Sequence, residues 1–536
     1  MMDSRRFAET VIRTRRAWEA KRRADQPTLP PTGKEAAEGG CGVIGVIASE
    51  PVTGRQLFRP LSQMNNRGNG KGGGIAVAGC FPEHPKHFAL HVALLDESVR
   101  AKLESRFIEP HFAIEQVEQL AHVHDFRDVG RLEVRPPEVV RYFVRVKQDV
   151  LDIFATELGL PPSDEIEAEF VSRNSCALND AYYQTEQPQA FVLSHGRNLM
   201  ILKGVGFAED ILRYYQLEEF GGLAWIGHQR YPTRGRVWHP GGAHPFAGLD
   251  EALVHNGDLA NYQAIVEYLG QRGIEPRFLT DTEVAALLFD LYNRVYRYSL
   301  EHICEALAPT TERDFAMLPK DKQRVYRALR ASHLHGSPDG PFFFILARTL
   351  PQEDQVQLIG ITDTSMLRPQ VFAFHQGEVQ IGLVASEKQA IDAYLEELSS
   401  VDPRVAPLAD RTWNARGGSY TDGGAFVFTA SPTAGAGERL TCADKFGKAV
   451  RVDGPAEQPP YPIRLPRNDR TASNEADWST VLDAAGADNA FDRATRRMPT
   501  WSFEEVEAML GHVVDWAKEA NRNAEVALAF LTQLLD

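Results

Sequence analysis

Short apolar runs bounded by glycine recur along most of the chain, and between them lie longer stretches with a helical period. The first sharp change comes at Gly39-Gly40-Cys41-Gly42-Val43-Ile44-Gly45-Val46-Ile47, where a charged leader gives way to β-branched residues. Such a run between glycines predicts a strand in the middle of a packed sheet. A short helix is expected near Leu57 to Met64, then the glycine-rich Asn65 to Gly74, then a strand at Ile75-Ala76-Val77. Residues 82 to about 188 read as an insertion of mixed elements, with helical periodicity at Leu94 to Phe107 and Val140 to Leu158. Phe191 to Gly196 and Leu199 to Leu202 predict a hairpin, and Ala208 to Tyr215 a helix. Two further strands are predicted at Leu223 to Tyr231 and Ala252 to His255.

Thr280-Asp281-Thr282-Glu283 has the spacing of a capping box. It opens a helix with Val284, Leu287, Leu288, Leu291 and Val295 on one face. Beyond about residue 340 the pattern is mostly strands: Pro341 to Ala347, Val356 to Ile361, a hairpin of Val371–His375 with Val379–Ala385, and a last strand at Gly424 to Thr429. Ser386-Glu387 caps a helix reaching Leu398. Ala430 to Arg470 is rich in Gly, Pro and Ala and reads as a linker. A second capping box, Ser502-Phe503-Glu504-Glu505, opens a helical region to Leu535. The division is therefore a leader (1–40), a main α+β domain (41–430, insertion about 82–188), and a linker with a C-terminal helical extension (431–536).

The leader carries Arg5, Arg6, Arg13, Arg15, Arg16, Lys21, Arg22 and Arg23, which suit a surface helix. Pro27, Pro30 and Pro31 break it. Asp3, Glu9, Glu19 and Asp25 are out of keeping with a transit peptide, and no apolar core of a secretory signal is present. The leader reads as a removable propeptide, with a plain disordered tail as the alternative. A net charge of −15 over 536 residues argues against nucleic-acid binding. Cys41, Cys80, Cys176, Cys304 and Cys442 are odd in number and widely spaced, so neither a disulfide framework nor an iron–sulfur or zinc pattern is expected. No apolar run approaches the roughly 18 residues of a membrane span. A cytoplasmic location is expected.

Candidate chemistry centres on Cys41. A thiol at the first position of a strand sits on rigid backbone, where a nucleophile is best held. Cleavage between Gly40 and Cys41 would put a free α-amine on the same residue, and an amine with a reference pKa of about 7.7–8.0 can act as general base. The plain reading of a lone cysteine is packing. Asn256-Gly257 can donate to an oxyanion from a side-chain amide and an unobstructed backbone N–H, or be a simple turn. Arg230 can clamp a carboxylate and Asp281 an ammonium, against the plainer readings of a surface ion pair and a helix N-terminal charge. One cationic and one anionic holder imply an amino-acid substrate whose side-chain amide the thiol attacks.

Cys41-Gly42-Val43-Ile44-Gly45, Asn66-Arg67-Gly68, Gly227 to Gly235, Ala243-His244-Pro245-Phe246, His255-Asn256-Gly257 and Thr280-Asp281-Thr282-Glu283 stand in the order of class II glutamine amidotransferases, which this chain resembles. Asp339 to Phe342, Thr364 to Pro369 and Ala385 to Glu387 extend the likeness over about 41–430. The resemblance implies a four-layer αββα N-terminal-nucleophile hydrolase sandwich. It also implies Cys41 as nucleophile, Arg230 and Asp281 as holders of glutamine, Asn256 and Gly257 as the oxyanion hole, and Arg67 near the nucleophile. The long leader and insertion look most like the separate amidotransferase subunit of a glutamate synthase. This chain would then carry no cofactor, and a synthase partner with FMN and iron–sulfur centres would consume the ammonia in a hetero-oligomer. Asn69-Gly70 and Gly241-Gly242 depart from the family pattern. Two rivals are a metal hydrolase built on His228, His239, His244 and His255, and an unprocessed, non-catalytic assembly subunit. A subunit serving another ammonia acceptor is the remaining alternative.

Overall fold

The computed structural model describes residues 4–23, 40–231, 238–432 and 439–452. The described residues, all within 1–452, belong to one compact unit. The C-terminal extension, with its capping box at Ser502, lies outside the described residues, as does part of the expected linker.

Two antiparallel sheets make the body. One has seven strands in the order Arg411–Trp413, Val371–Gln376, Gln380–Ala385, Gly42–Thr53, Gly221–Gln229, Gly73–Ala78, Leu199–Gly204. The other has six: Leu440–Asp444, Ala425–Ala430, Gln355–Thr362, Phe342–Leu350, Glu251–Gly257, Phe246–Ala247. Side chains alternate across each strand, so odd and even residues serve different layers. From the cysteine strand, Val43 and Ile47 join Ala224, Ile226, Val254, Phe343, Ile345 and Leu358 in an apolar layer between the two sheets. Ile44, Val46 and Ala48 point the other way, into the core that includes Leu57, Leu61, Ile391 and Leu395 of the covering helices.

Gly45 marks how closely the sheets approach. A Cβ there would stand 2.6 Å from Leu358 Cδ1 and 2.8 Å from Ile345 Cγ2. Gly45→Val overfills this layer, and we expect a loss of about 1–3 kcal/mol in denaturant unfolding of the full chain. Unchanged stability would mean that the sheets can part at that point.

The insertion, together with the strand Ala190–Ser194 that follows it, folds as a third sheet of four strands, in the order Phe112–Gln119, Glu138–Val146, Phe88–Leu94, Ala190–Ser194, with helices Gln148–Leu158 and Asp164–Tyr182. Four sequence expectations are corrected. Val140 to Val146 is a strand, because Val, Tyr and Phe there pair with Phe88–Leu94 rather than winding a helix. Phe191–Ser194 and Leu199–Leu202 are not a hairpin, since they enter different sheets. Thr429 does not end the strands, because Leu440–Asp444 pairs with Phe426–Ala430. The leader is no separate surface element. Its helix, Ser4–Arg23, buries Phe7, Val11, Arg15 and Glu19, a stripe spaced by four, against the body. Among the described residues, no helix is long and apolar enough to cross a membrane.

Candidate active site

The alternation that builds the core also assembles the site. Cys41 continues the face of Val43 and Ile47, and Asn256 continues the face of Ala252 and Val254. Both therefore emerge at the same end of the space between the sheets. Arg230 follows Ala224, Ile226 and His228 on the inward face of the neighbouring strand. Ser386 fixes the start of the cysteine strand: Val43 N–H donates to Ser386 Oγ at 3.1 Å, and Ser386 N–H donates to the Val43 carbonyl at 2.9 Å.

A narrow pocket of about 10 Å³ is lined by Cys41, Arg230, Tyr231, His244, His255, Gly257 and Asp281. Four of the residues expected from the sequence thus share one cavity. The backbone N–H of Tyr231 donates to Cys41 Sγ at 3.3 Å. Burial pushes the Cys41 thiol up to about 11, against the Tyr231 hydrogen bond and the positive charges of Arg230 and Arg368. The thiol is therefore protonated at neutral pH. Arg230 is buried, which lowers its guanidinium to about 10, with Cys41 and Asp281 opposing the shift. It remains a cation throughout the neutral range.

Asn256 is fully buried, and neither atom of its amide has a hydrogen-bond partner among the described residues. An orphaned buried amide is destabilising by about 1–3 kcal/mol, so its retention points to a ligand. Its Oδ1 lies 3.2 Å from where a Cβ on Gly40 would stand, which places the amide beside the residue preceding Cys41. Gly257 has φ +149°, and a Cβ there would come within 2.2 Å of the Pro341 carbonyl oxygen, so no larger residue fits. Arg67 does not line the pocket. Its Nε pairs with Glu387, and its Nη1 stands 3.5 Å from the same Gly40 position.

Asp281 is the first residue of the helix Asp281–Asp290, whose cap is Thr280: Glu283 N–H donates to Thr280 Oγ1 at 3.1 Å. The Glu283 carboxylate does not complete the reciprocal box. It accepts instead from the backbone N–H groups of Arg277, Phe278 and Leu279, at 2.5, 2.8 and 3.0 Å, and so clamps the turn that delivers Asp281.

The histidines form a hydrogen-bonded floor. His228 Nε2 donates to the His255 carbonyl at 3.2 Å and lies 3.1 Å from His244 Nδ1. Thr282 Oγ1 bridges Nδ1 of His244 and His255, at 3.2 and 3.4 Å. Burial pulls His228 down to about 3 and His244 well below the ordinary imidazole value, so both are neutral and poor bases. No grouping of three or more His, Cys, Asp or Glu suited to a metal occurs among the described residues.

Sequence reasoning weighed His228, His244 and His255 only as metal ligands, and missed Tyr231 and Arg368 as neighbours of the thiol and Thr282 as the bridge between two of the histidines. The signal for His255 was its place two residues before Gly257, on the same face of one strand. Arg368 is brought close only by the tertiary fold; its Nη1 stands 3.4 Å from the Gly40 Cβ position.

No protein-family model matches the chain. An uncharacterized protein of Archaeoglobus fulgidus is 32% identical over 382 residues, covering 70% of this chain and 90% of its own length. The glutamine amidotransferase-like protein GlxB of Rhizobium meliloti is 38% identical over 251 residues, 46% of this chain and 68% of that protein. A glutamine–fructose-6-phosphate aminotransferase of Campylobacter jejuni is 27% identical over 164 residues, 29% of this chain and 26% of its own. With a thiol, a guanidinium and a carboxylate around one pocket, and with this likeness to GlxB, the chain belongs to the class II glutamine amidotransferase family.

Proposed function

We propose that this chain is an amidotransferase subunit that hydrolyses glutamine to glutamate and ammonia through a thioester on Cys41. The observation that carries the reading is the single pocket shared by Cys41, Arg230, Asp281 and Gly257. Arg230 takes the α-carboxylate and Asp281 the α-ammonium of glutamine, leaving the side-chain amide over the sulfur. The thiol needs a base, because burial holds it protonated and also depresses His228 and His244. Hydrolysis of the Gly40–Cys41 bond adds one water, leaving a carboxylate on Gly40 and an amine on Cys41. That amine takes the thiol proton as sulfur attacks the amide carbon. The Asn256 amide and the Gly257 N–H hold the oxyanion. Collapse returns the proton to the departing nitrogen and releases ammonia. Water then attacks the thioester, freeing glutamate and restoring the thiol.

The ammonia passes to a synthase partner in a hetero-oligomer, where it is consumed on 2-oxoglutarate with the partner's FMN and iron–sulfur centres. The resemblance of the leader and insertion to glutamate synthase subunits supports this acceptor.

One observation favours a second reading, the unprocessed assembly subunit. In the uncut chain Gly40 stands against Asn256, Arg67 and Arg368, in the space assigned to substrate. Ammonia release from glutamine by purified protein, with intact mass of the N-terminus, separates the two. Turnover by chains that begin at Cys41 supports the enzyme, and inert chains that keep Met1 in the assembled complex support the module.

Arg230→Gln removes one partner of a buried charge contact, which costs roughly 2–5 kcal/mol of binding. We expect the KM for glutamine to rise accordingly while kcat changes little, since the carboxylate is held equally before and during reaction. A loss confined to kcat would contradict the assignment.

A further inference from the structure

The helix Ser4–Arg23 precedes the bond whose cleavage would release it, yet it is built into the body like a core element. Phe7 and Val11 are fully buried, and the guanidinium of Arg297 lies 4.3 Å from the Phe7 ring. Arg15 forms two hydrogen bonds to the buried Glu169 carboxylate, at 2.7 and 2.8 Å. Arg173 and Arg294 converge on the same carboxylate. A Cβ on Gly273, at φ +68°, would stand 2.4 Å from the backbone nitrogen of Arg16, so the helix backbone lies directly on that turn.

The contact nearest the active site is Glu19 with Arg277, at 3.0 Å, both nearly fully buried. Arg277 also pairs with Asp180 at 2.9 Å and donates to the Glu275 carbonyl. It opens the four-residue turn that ends at the cap Thr280, immediately before Asp281. In that turn Leu279 holds φ +61°, a left-handed conformation unfavourable for leucine, so the turn keeps its shape only while clamped. Glu283 clamps it from the helix side, and the Arg277 cluster anchors its other end.

We propose that the leader helix is a permanent part of the mature enzyme: after the Gly40–Cys41 bond is cut it stays docked as a second chain, and through Glu19 and Arg277 it positions the turn that presents Asp281 to glutamine. This rests on the reading of Asp281 as an ammonium holder and of Cys41 as the mature N-terminus. Glu19 and Arg277 are positioning residues, with no substrate contact. A propeptide that only blocked the site would need no buried ion pairs to a substrate-holding turn.

The test uses the full-length chain, allowed to process itself. Native gel filtration followed by denaturing mass spectrometry is expected to find the fragment containing residues 4–23 with the body at equal stoichiometry. Glu19→Ala is expected to raise the KM for glutamine by roughly 2- to 30-fold at unchanged kcat, with partial recovery in Glu19→Asp. A second, more distant variant, Arg15→Ala, is expected to reduce the amount of fragment retained. A body free of the fragment that keeps the wild-type KM overturns the proposal, as does Glu19→Ala with an unchanged KM. Failure of the functional reading shows itself differently, as no glutamine hydrolysis by any form of the chain.

Discussion

Cys41→Ala releases no ammonia from glutamine above background, a loss of more than about 10⁴-fold in kcat, because no other group in the pocket can form the thioester. The expected result is sharper than simple inactivity. The sulfur lies on a strand start fixed by Ser386, so its removal leaves backbone, pocket and substrate holders in place. Glutamine should still bind the variant with affinity near that of the wild type, measured by calorimetry on the processed or directly cleaved chain. Turnover near wild type in this variant would falsify the nucleophile assignment and return Cys41 to the role of a packed core thiol.

Asn256→Ala is the second large effect. Among the described residues its buried amide has no hydrogen-bond partner, so the substitution removes little that holds the fold together. On the proposed function, what it removes is a donor to the oxyanion. One such donor is worth about 2.7–4 kcal/mol in the transition state, which corresponds to a fall of roughly 10²–10³ in kcat. KM should hold, because the ground-state amide oxygen interacts with it far less than the oxyanion does. A change confined to KM, with kcat intact, would place Asn256 among the binding groups instead.

Much of this site was legible before any coordinates, and the reason lies in strand periodicity. Asn256 and Arg230 follow, and Cys41 precedes, an apolar run whose inward face is written in alternate residues, so extending the alternation by one step places all three facing inward. Asp281 was legible from its capping box, which depends on local spacing alone. Arg368 was not, because it stands more than three hundred residues from Cys41 and no periodicity links them. The histidines entered the sequence reading only as a rival metal site, because their residue type invites it. For His228 and His244 what sets the role is burial, which strips them of charge and leaves them as hydrogen-bonding groups.

The leader was the plainest miss, for a physical reason. Its many arginines read as a solvated face, and the stripe Phe7, Val11, Arg15, Glu19 was hidden because two of its four members are charged. They are buried because Glu169 and Arg277 meet them from the far side of the fold. Local sequence cannot reveal a partner more than 150 residues away. Val140 to Val146 was missed differently: its apolar positions satisfy both a helical and an extended period, and pairing with Phe88–Leu94 decides between them.

The most direct measurement is peptide-level mass spectrometry of the purified full chain after incubation with a thiol-directed glutamine analogue. One covalent adduct per body chain is predicted, on Cys41, and only on molecules in which Cys41 is the first residue. Glutamine-hydrolysing protein whose Cys41 stays unmodified, or whose Met1 is still joined to it, would contradict the account.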